Sequence, residues 1–259
     1  MGKTAFTGPI LGNADSGGGL WKDAPIELVN RFSNQYYFND FASLGDFDYA
    51  QNLDWDVSAI GTVTATPDIT LTDGLSLLDI EGDLAAEGHV IQLEGESWMP
   101  AADRVITFEA LVGQTDGNDM DFFVGIGETL DTFMGTDGTI GAAAVGYAGF
   151  HLLGSDADGI VDCVAEGGSG GATIFGAANS TALTDSTITS GLMVGFHRYG
   201  VRITGTSQVE FFFDGRFVQG GSVAAVFDDA LTITLCAVSG AANDSLYVDY
   251  VALNQTRLP

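Results

Sequence analysis

Three acidic residues lie close together in the segment EGDLAAE: Glu81, Asp83 and Glu87. Two carboxyl groups held about 5–5.5 Å apart can cleave a glycosidic bond, one as nucleophile and the other as acid/base. However, Gly82 is a poor strand residue, and Glu87 followed by glycine has the composition of a turn. The segment therefore predicts a hairpin whose carboxylates lie in solvent, and we assign no catalytic residues.

A second acidic cluster could bind a cation. Asp156, Asp158 and Asp162 have the spacing of the first ligands of a calcium loop. Such a loop needs a bidentate glutamate at its twelfth position, where this chain has Gly167, with Glu166 one place too early. The same residues also suit a turn between two apolar runs. We predict a turn here, with calcium as the weaker alternative, and no other cofactor.

The histidines and cysteines are isolated in the sequence. His89, His151 and His197 show neither the order of a Ser–His–Asp triad nor metal-ligand spacing. We expect them to be ordinary strand or strand-edge residues. Cys163 and Cys236 lie in apolar, strand-like contexts, which predicts buried free thiols.

The charge balance limits the classes of partner. The chain has 35 acidic and 8 basic residues, and its net charge is −27. A surface this negative repels phosphate backbones and anionic membranes, so we expect neither nucleic-acid nor membrane binding. The first residues contain no apolar run long enough for a secretory signal, which favours synthesis in the cytoplasm.

The elements that would position these residues are β-strands. In residues 197–220 three strands with alternating apolar residues are joined by turns at Gly205–Ser207 and Asp214–Gly215. We attribute the charged residues of this segment to turn chemistry and cross-strand pairing. We also predict one continuous strand over residues 191–203 and a short strand over residues 62–65. Frequent turns without a helical period indicate a β-sandwich or barrel.

The N-terminal region differs from the rest of the chain. Residues 1–30 are punctuated by Gly8–Pro9, Gly12–Asn13 and the run Gly17–Gly19, which predicts an extended arm with little core of its own, followed by a single domain over residues 31–259. We expect the arm to bind a neighbouring protein through its apolar anchors: Phe6, Ile10, Leu11, Leu20 and Trp21.

Four segments together resemble the concanavalin A-like lectin and glucanase jelly roll: residues 36–57, 105–127, 201–218 and 244–253. The resemblance implies an all-β, antiparallel, two-sheet jelly-roll sandwich. Laminarinase-like members of this fold use a strand motif E-x-D-x-x-E, to which residues 81–87 are similar. That segment precedes the region where the catalytic strand of the family falls, so the resemblance does not change our assignment.

Fold alone does not decide function, because this fold hosts lectins, glycosidases and interaction modules. From the arm, the acidity and the absence of a catalytic constellation we predict a non-enzymatic structural component of a tailed-phage particle. It would decorate the capsid or belong to the tail, contacting the major capsid protein or tail proteins in the virion as a homo-oligomer. The alternative is a lectin-like module that binds a glycan, and a glycoside hydrolase ranks third.

Overall fold

The described part of the chain is built from strands. The computed structural model describes residues 34–257 except 42–54, 65, 73–74, 83, 95–97, 116–119, 142–145, 154–158, 169–170, 172, 180–182, 184–185, 190–191 and 241–243. These residues form 17 strands and no helix. No described segment is a helix long and apolar enough to cross a membrane. The arm predicted for residues 1–30 lies outside the described residues.

Two large antiparallel sheets contain most of the strands. From one edge to the other, the strands of the first sheet are β15 (Arg216–Ser222), β14 (Gln208–Phe213), β13 (His197–Thr204), β6 (Arg104–Gln114), β17 (Asp244–Arg257), β4 (Leu75–Gly82) and β3 (Asp68–Thr72). An eighth strand, β1 (Asn34–Asn39), also pairs with β17. We call this the 8-stranded sheet.

The second, 7-stranded sheet has the order β10 (Thr173–Ala177), β9 (Asp162–Glu166), β8 (Tyr147–Leu152), β7 (Asp121–Gly127), β16 (Thr232–Val238), β5 (Gly88–Leu93) and β2 (Trp55–Ile60). A separate two-stranded hairpin consists of β11 (Thr187–Thr189) and β12 (Leu192–Val194). The two large sheets face each other, so the architecture confirms the predicted antiparallel two-sheet sandwich.

The main core lies between the two sheets. Because strand side chains alternate in direction, every second residue of β6 and β7 enters this core, including Phe108, Val112, Phe122 and Val124. Each such side chain stabilises the fold by about 1.5–3 kcal/mol through removal of apolar surface from water. Trp55 and Trp98 are also buried here beside Tyr37, so these tryptophans are core residues.

The hairpins predicted in residues 197–220 are confirmed. Asp214 and Gly215 both have positive φ, 49° and 74°, as the two-residue turn between β14 and β15 requires. Gly205, with φ of 67°, begins the turn between β13 and β14. The residue types at these positions determine the turns, because few residues adopt positive φ without strain.

Three strand predictions differ from the structure. The strand predicted over residues 191–203 is interrupted at Gly195, whose φ of 81° separates β12 from β13. Residues 62–64 form a connection instead of a strand, and β10 and β11 were not predicted. Short strands such as β11 carry too few alternating residues to show a period.

Both cysteines are free and buried, as predicted. Cys163 lies in the core between the sheets, whereas Cys236 points to the opposite face of the 7-stranded sheet. Burial raises the pKa of the Cys163 thiol to about 12, with a further contribution from Asp162. Both thiols are therefore unreactive in the folded protein.

Candidate functional site

The outer face of the 7-stranded sheet, which points away from the main core, is closed by a second apolar cluster. The segment 128–141 folds over this face and places Phe133 on the sheet. The centre of the Phe133 ring lies 4.8 Å from that of Phe123 and 5.8 Å from that of Tyr147. Val90 and Cys236 complete the apolar floor under it. Both faces of this sheet are therefore packed.

Glycines make room for these rings. A Cβ atom on Gly127 would lie 2.7 Å from the Phe133 ring, and one on Gly149 would lie 2.6 Å from the Phe123 ring. The Gln92 side chain fixes the start of the covering segment. Its amide donates to the carbonyl of Glu128 at 2.7 Å and its oxygen accepts from the backbone N–H of Leu130 at 2.7 Å.

The polar groups on this face are engaged with neighbours. Burial, and then the adjacent Glu166 carboxylate, raise the pKa of the Tyr147 hydroxyl above its ordinary value. His151 Nε2 lies 2.9 Å from the Gly138 carbonyl oxygen of the covering segment.

The candidate calcium ligands are only partly described. Asp162 is half-buried at the start of β9, whereas Asp156 and Asp158 lie outside the described residues. The arm residues Phe6, Ile10, Leu11, Leu20 and Trp21 lie outside them as well. Within the described part of the chain, no group of three His, Cys, Asp or Glu side chains could hold a metal ion.

The segment EGDLAAE is not a hairpin. Glu81 belongs to β4 in the 8-stranded sheet, whereas Glu87 immediately precedes β5 in the 7-stranded sheet. The segment connects the two sheets because β5 pairs with β2 and β16, and not with β4. Glu81 and Glu87 therefore do not share one strand face.

The outer face of the 8-stranded sheet has a different character. One register row crosses six strands and consists, in order, of Phe217, Phe212, Gly200, Glu109, Ala252 and Phe38. The Phe217 side chain is 54% exposed at one end of the row, whereas Phe212 beside it is buried. A single aromatic ring therefore projects into solvent from a row whose other members are packed.

Glu109 is a buried carboxyl group in this row. The Tyr250 hydroxyl donates a hydrogen bond to Glu109 Oε1 at 2.9 Å, and Phe38 stacks on the Tyr250 ring. Burial, and then the charge and hydrogen bond of Glu109, raise the pKa of Tyr250. The tyrosine therefore stays a donor, which satisfies a carboxylate that would otherwise be costly to bury.

Arg202 and Glu210 form an ion pair beside the aromatic residues. Arg202 Nε and Nη2 lie 2.7 Å and 2.6 Å from Glu210 Oε2, and the guanidinium carbon lies 5.5 Å from the centre of the Phe212 ring. The two side chains are 16% and 35% exposed, so both are partly accessible to solvent. Planar polar groups next to an exposed ring can bind the hydroxyls and the apolar face of a sugar.

The turn at the end of β14 is held by charged hydrogen bonds. Asp214 Oδ2 lies 3.0 Å from His197 Nδ1, and Asp214 Oδ1 accepts from the backbone N–H of Arg198 at 3.0 Å. Burial alone would raise the pKa of Asp214, but these hydrogen bonds outweigh it and lower the pKa below its ordinary value. The His197 ring stacks on Phe213 at 4.8 Å.

A pair of carboxyl groups lies near the opposite edge of the same face. Asp68 on β3 is directly opposite Asp79 on β4 in the register, and Tyr247 follows on β17. Burial raises the pKa of Asp79 to about 7; the hydrogen bond from Ser245 opposes this, and the charges of Asp68 and Glu81 add to it. Asp79 Oδ1 is buried without a hydrogen-bond partner among the described residues.

Comparison with known proteins supports the fold. No family model and no curated protein matches this sequence. An endo-1,3-beta-glucanase from Streptomyces sioyaensis is similar in structure, with a TM-score of 0.54 and 13% identity over 88% of this chain and 98% of that chain. The chain has the concanavalin A-like jelly-roll fold. The predicted resemblance to lectins and glucanases is confirmed at this level.

Two further glucanase structures are similar to the jelly roll of this chain. A family 16 mixed-linkage glucan enzyme from Bacteroides ovatus has a TM-score of 0.55 and 13% identity, covering 83% of this chain and 98% of that one. The catalytic domain of an endo-1,3-beta-glucanase from Thermotoga petrophila has a TM-score of 0.51 and 14% identity, covering 84% and 96%.

These similarities contradict two predictions. The similar structures are of carbohydrate-active enzymes, and none of those described above is a particle component. The predicted phage structural role was therefore wrong, as was the expectation that the chain is not an enzyme. The lectin-like and hydrolase alternatives agree better with the fold. Both predictions placed too much weight on the absence of a linear catalytic motif, which cannot show residues that meet across strands.

The sequence also did not reveal the contacts between side chains on the outer face of the 8-stranded sheet. Glu109, Tyr250 and Phe217 lie on three different strands, far apart in sequence. The only local signal was that Arg198 and Arg202 alternate on one strand and that Glu210 lies on the next. From the sequence we attributed these charges to cross-strand pairing alone.

Proposed function

We propose that this protein binds a carbohydrate on the outer face of the 8-stranded sheet, around Phe217. The observation that carries the proposal is the exposed Phe217 ring beside the Arg202–Glu210 pair. The ring would pack against the C–H face of a sugar, and the guanidinium and carboxylate would bind its hydroxyls. The buried Phe212 ring, whose centre lies 5.5 Å from the Arg202 guanidinium carbon, supports the position of this guanidinium.

The fold supports the class of ligand. The similar structures are of endo-1,3-beta-glucanases and a mixed-linkage glucan enzyme, so their ligands are polysaccharides. A polysaccharide suits an open sheet face, because many weak contacts along an extended chain can add up to specific binding. We therefore include β-1,3 and mixed-linkage glucans among the polymers to be tested.

Affinity electrophoresis in gels that contain single polysaccharides tests the proposal. We expect the wild-type chain to be retarded by at least one polymer and the Phe217→Ala variant to lose about tenfold in affinity for it. Val226→Ala is the matched control, because Val226 is also an exposed apolar residue, outside the named strands. Equal retardation of Phe217→Ala and wild type, or no retardation by any polymer, would overturn the proposal.

Glycoside hydrolysis is the second candidate, because Asp68 and Asp79 are paired across two strands. Directly opposite residues have Cβ atoms about 4.5–5.5 Å apart, and retaining glycosidases hold their carboxyl groups about 5–5.5 Å apart. With its pKa of about 7, Asp79 would donate a proton to the leaving oxygen. Ionised Asp68 would attack the anomeric carbon as the glycosidic bond breaks, forming a glycosyl ester. Asp79, now ionised, would take a proton from the water that cleaves this ester, which releases the sugar and restores both carboxyl groups.

Release of reducing ends from the same glucans tests this second candidate. We expect Asp79→Asn to abolish hydrolysis by wild type, and Asp228→Asn, at an exposed carboxyl outside the sheets, to leave it unchanged. Absence of hydrolysis by wild type, or equal rates for Asp79→Asn, rejects the candidate and leaves the binding proposal intact.

A further inference from the structure

Across the strands from Phe217, the outer face of the 8-stranded sheet is closed by buried residues. The register row that contains Phe217 continues over Phe212, Gly200, Glu109 and Ala252, and all four of these residues are buried. The Glu109 carboxyl is also occupied by a hydrogen bond within the protein. Among the described residues, this row therefore offers no accessible polar group to a ligand that packs on Phe217.

Along β14 and β15 the same face is accessible. Because alternate residues of β14 enter the core, the residues between them point outward. Next to Phe217 along the strands, the first outward pair is Glu210 and Gly220, and the second is Gln208 and Ser222. Glu210 is partly exposed and the other three are exposed. We define the hairpin strip as Phe217, Glu210, Gly220, Gln208 and Ser222, with Arg202 beside Glu210.

The middle of the hairpin strip is a shallow depression. Gly220 carries no side chain, and a Cβ atom there would lie 2.8 Å from the Val209 carbonyl oxygen and 3.2 Å from Cγ of Glu210. The close approach of β14 therefore requires glycine at this position. On the outer face of β15, the position between Phe217 and Ser222 is consequently backbone alone, and a sugar ring can lie against it.

The two ends of the hairpin strip differ in chemistry. At one end the exposed Phe217 ring offers an apolar surface. At the other end the side-chain amide of Gln208 donates a hydrogen bond to the Ser222 hydroxyl, and both side chains are exposed. This bond leaves the side-chain carbonyl of Gln208 as an acceptor and the hydroxyl hydrogen of Ser222 as a donor. Both can bind the hydroxyl groups of a sugar.

The length and the charge of the hairpin strip limit its ligand. Phe212, which pairs with Phe217, and Gln208 are four residues apart on β14. At the rise of an antiparallel strand this is about 14 Å, which is room for about three hexose units in line. The charged groups of the strip, Arg202 and Glu210, neutralise each other as an ion pair. The net charge of −27 repels anions, so an uncharged ligand suits this strip.

We infer that the carbohydrate bound at Phe217 is an uncharged stretch of about three sugar units that runs parallel to β14, with Gln208 and Ser222 binding its far end. The inference rests on the proposed carbohydrate binding at Phe217. The direction follows from exposure, because the row across the strands is buried whereas the hairpin strip is accessible. The site thus combines one ring contact with hydrogen bonds at a distance from it.

Calorimetric titration with oligosaccharides of increasing length tests the inference. The neutral probes are β-1,3- and mixed-linkage gluco-oligosaccharides from the disaccharide to the hexasaccharide. We expect affinity to rise about tenfold from the disaccharide to the tetrasaccharide, because only the longer chain reaches Gln208 and Ser222. From the tetrasaccharide to the hexasaccharide it should change less than about threefold. A tetragalacturonate should bind at least about tenfold more weakly than the neutral tetrasaccharide.

Variants locate the far end of the site. Gln208→Ala combined with Ser222→Ala should weaken binding of the tetrasaccharide about tenfold and leave the disaccharide unchanged, whereas Phe217→Ala should weaken both. Gln219→Ala is the matched control, because Gln219 lies on the same strand but pairs with the core residue Phe211 and so belongs to the opposite face. It should leave all affinities unchanged. Equal melting temperatures confirm that the variants are folded.

The outcomes separate this inference from the proposed function. The inference fails and carbohydrate binding at Phe217 stands if the disaccharide binds as tightly as the tetrasaccharide, or if only polymers bind. The same holds if the double variant binds the tetrasaccharide like wild type, or if the tetragalacturonate binds as tightly as the neutral probe. If no saccharide binds and Phe217→Ala has no effect, both fail.

Discussion

The outer faces of the two sheets both carry aromatic residues, but these residues are covered on one sheet and exposed on the other. On the 7-stranded sheet, aromatic rings lie on glycines and are covered by Phe133 from the segment 128–141. On the 8-stranded sheet, Phe217 projects into solvent beside charged residues. An aromatic residue at an outward strand position is therefore not in itself a sign of binding. What decides its role is whether a connecting segment returns over that face.

This contrast also indicates where a ligand can bind in the described structure. The covering segment is fixed by Gln92 and by an internal hairpin in which the Gly135 N–H donates to the Thr139 carbonyl at 2.9 Å. A ligand would have to displace a buried apolar cluster to reach the 7-stranded sheet there. Around Phe217 no such displacement is needed.

The largest effect should come from removing the ring that closes one face. Phe133→Ala leaves a cavity next to Phe123 and Tyr147, and we expect it to lower the free energy of unfolding by about 3–5 kcal/mol. Phe217→Ala, which removes the same atoms from the open face, should change it by less than about 0.5 kcal/mol. Urea denaturation measures both. Similar losses at the two positions would show that the two faces are packed alike.

A smaller effect on stability should come from the pH dependence of Asp79 on the 8-stranded sheet. Because the pKa of Asp79 in the folded protein, about 7, is above its ordinary value, the unfolded chain loses the proton first as pH rises. Stability should therefore fall between about pH 4 and pH 7 and stay lower above that range. Asp79→Asn should gain on the order of 2 kcal/mol over wild type at high pH, after allowance for solvent screening, and nothing at low pH.

Thermal unfolding across this pH range measures the difference between Asp79→Asn and wild type. Asp56→Asn, at an exposed position on β2 of the other sheet, is the control. A pH-independent difference for Asp79→Asn would mean that Asp79 does not titrate in this range.

The smallest effect should come from the ion pair beside Phe212. In a double-mutant cycle of Arg202→Gln and Glu210→Gln, we expect a coupling energy of about 0.5–1 kcal/mol, because both side chains are partly exposed. The coupling should shrink at high salt. A coupling energy larger than the decrease in unfolding free energy caused by Phe133→Ala would show that the open face contributes more to stability than the covered one.

Local patterns were sufficient for much of the fold. The alternation in β13 and β14 and the Asp214–Gly215 turn predicted a hairpin that the structure contains. The break at Gly195 was missed because apolar residues continue on both sides of it, and only its positive φ marks the end of β12. The hairpin predicted for residues 81–87 was wrong for a related reason: a turn signal does not reveal whether the next strand joins the same sheet.

The sequence alone determined the fold class, the tight turns, the free thiols and the excess of negative charge, because these depend on short-range periods and on composition. Tertiary structure decided which outward face is covered, that Tyr250 meets Glu109, and that Phe217 lies beside the Arg202–Glu210 pair. Register between distant strands brings these groups together, and register follows from packing across the whole sheet. Glu81 and Glu87, close in sequence, lie in and next to strands of two different sheets, whereas Asp68 and Asp79 face each other across two strands of one sheet.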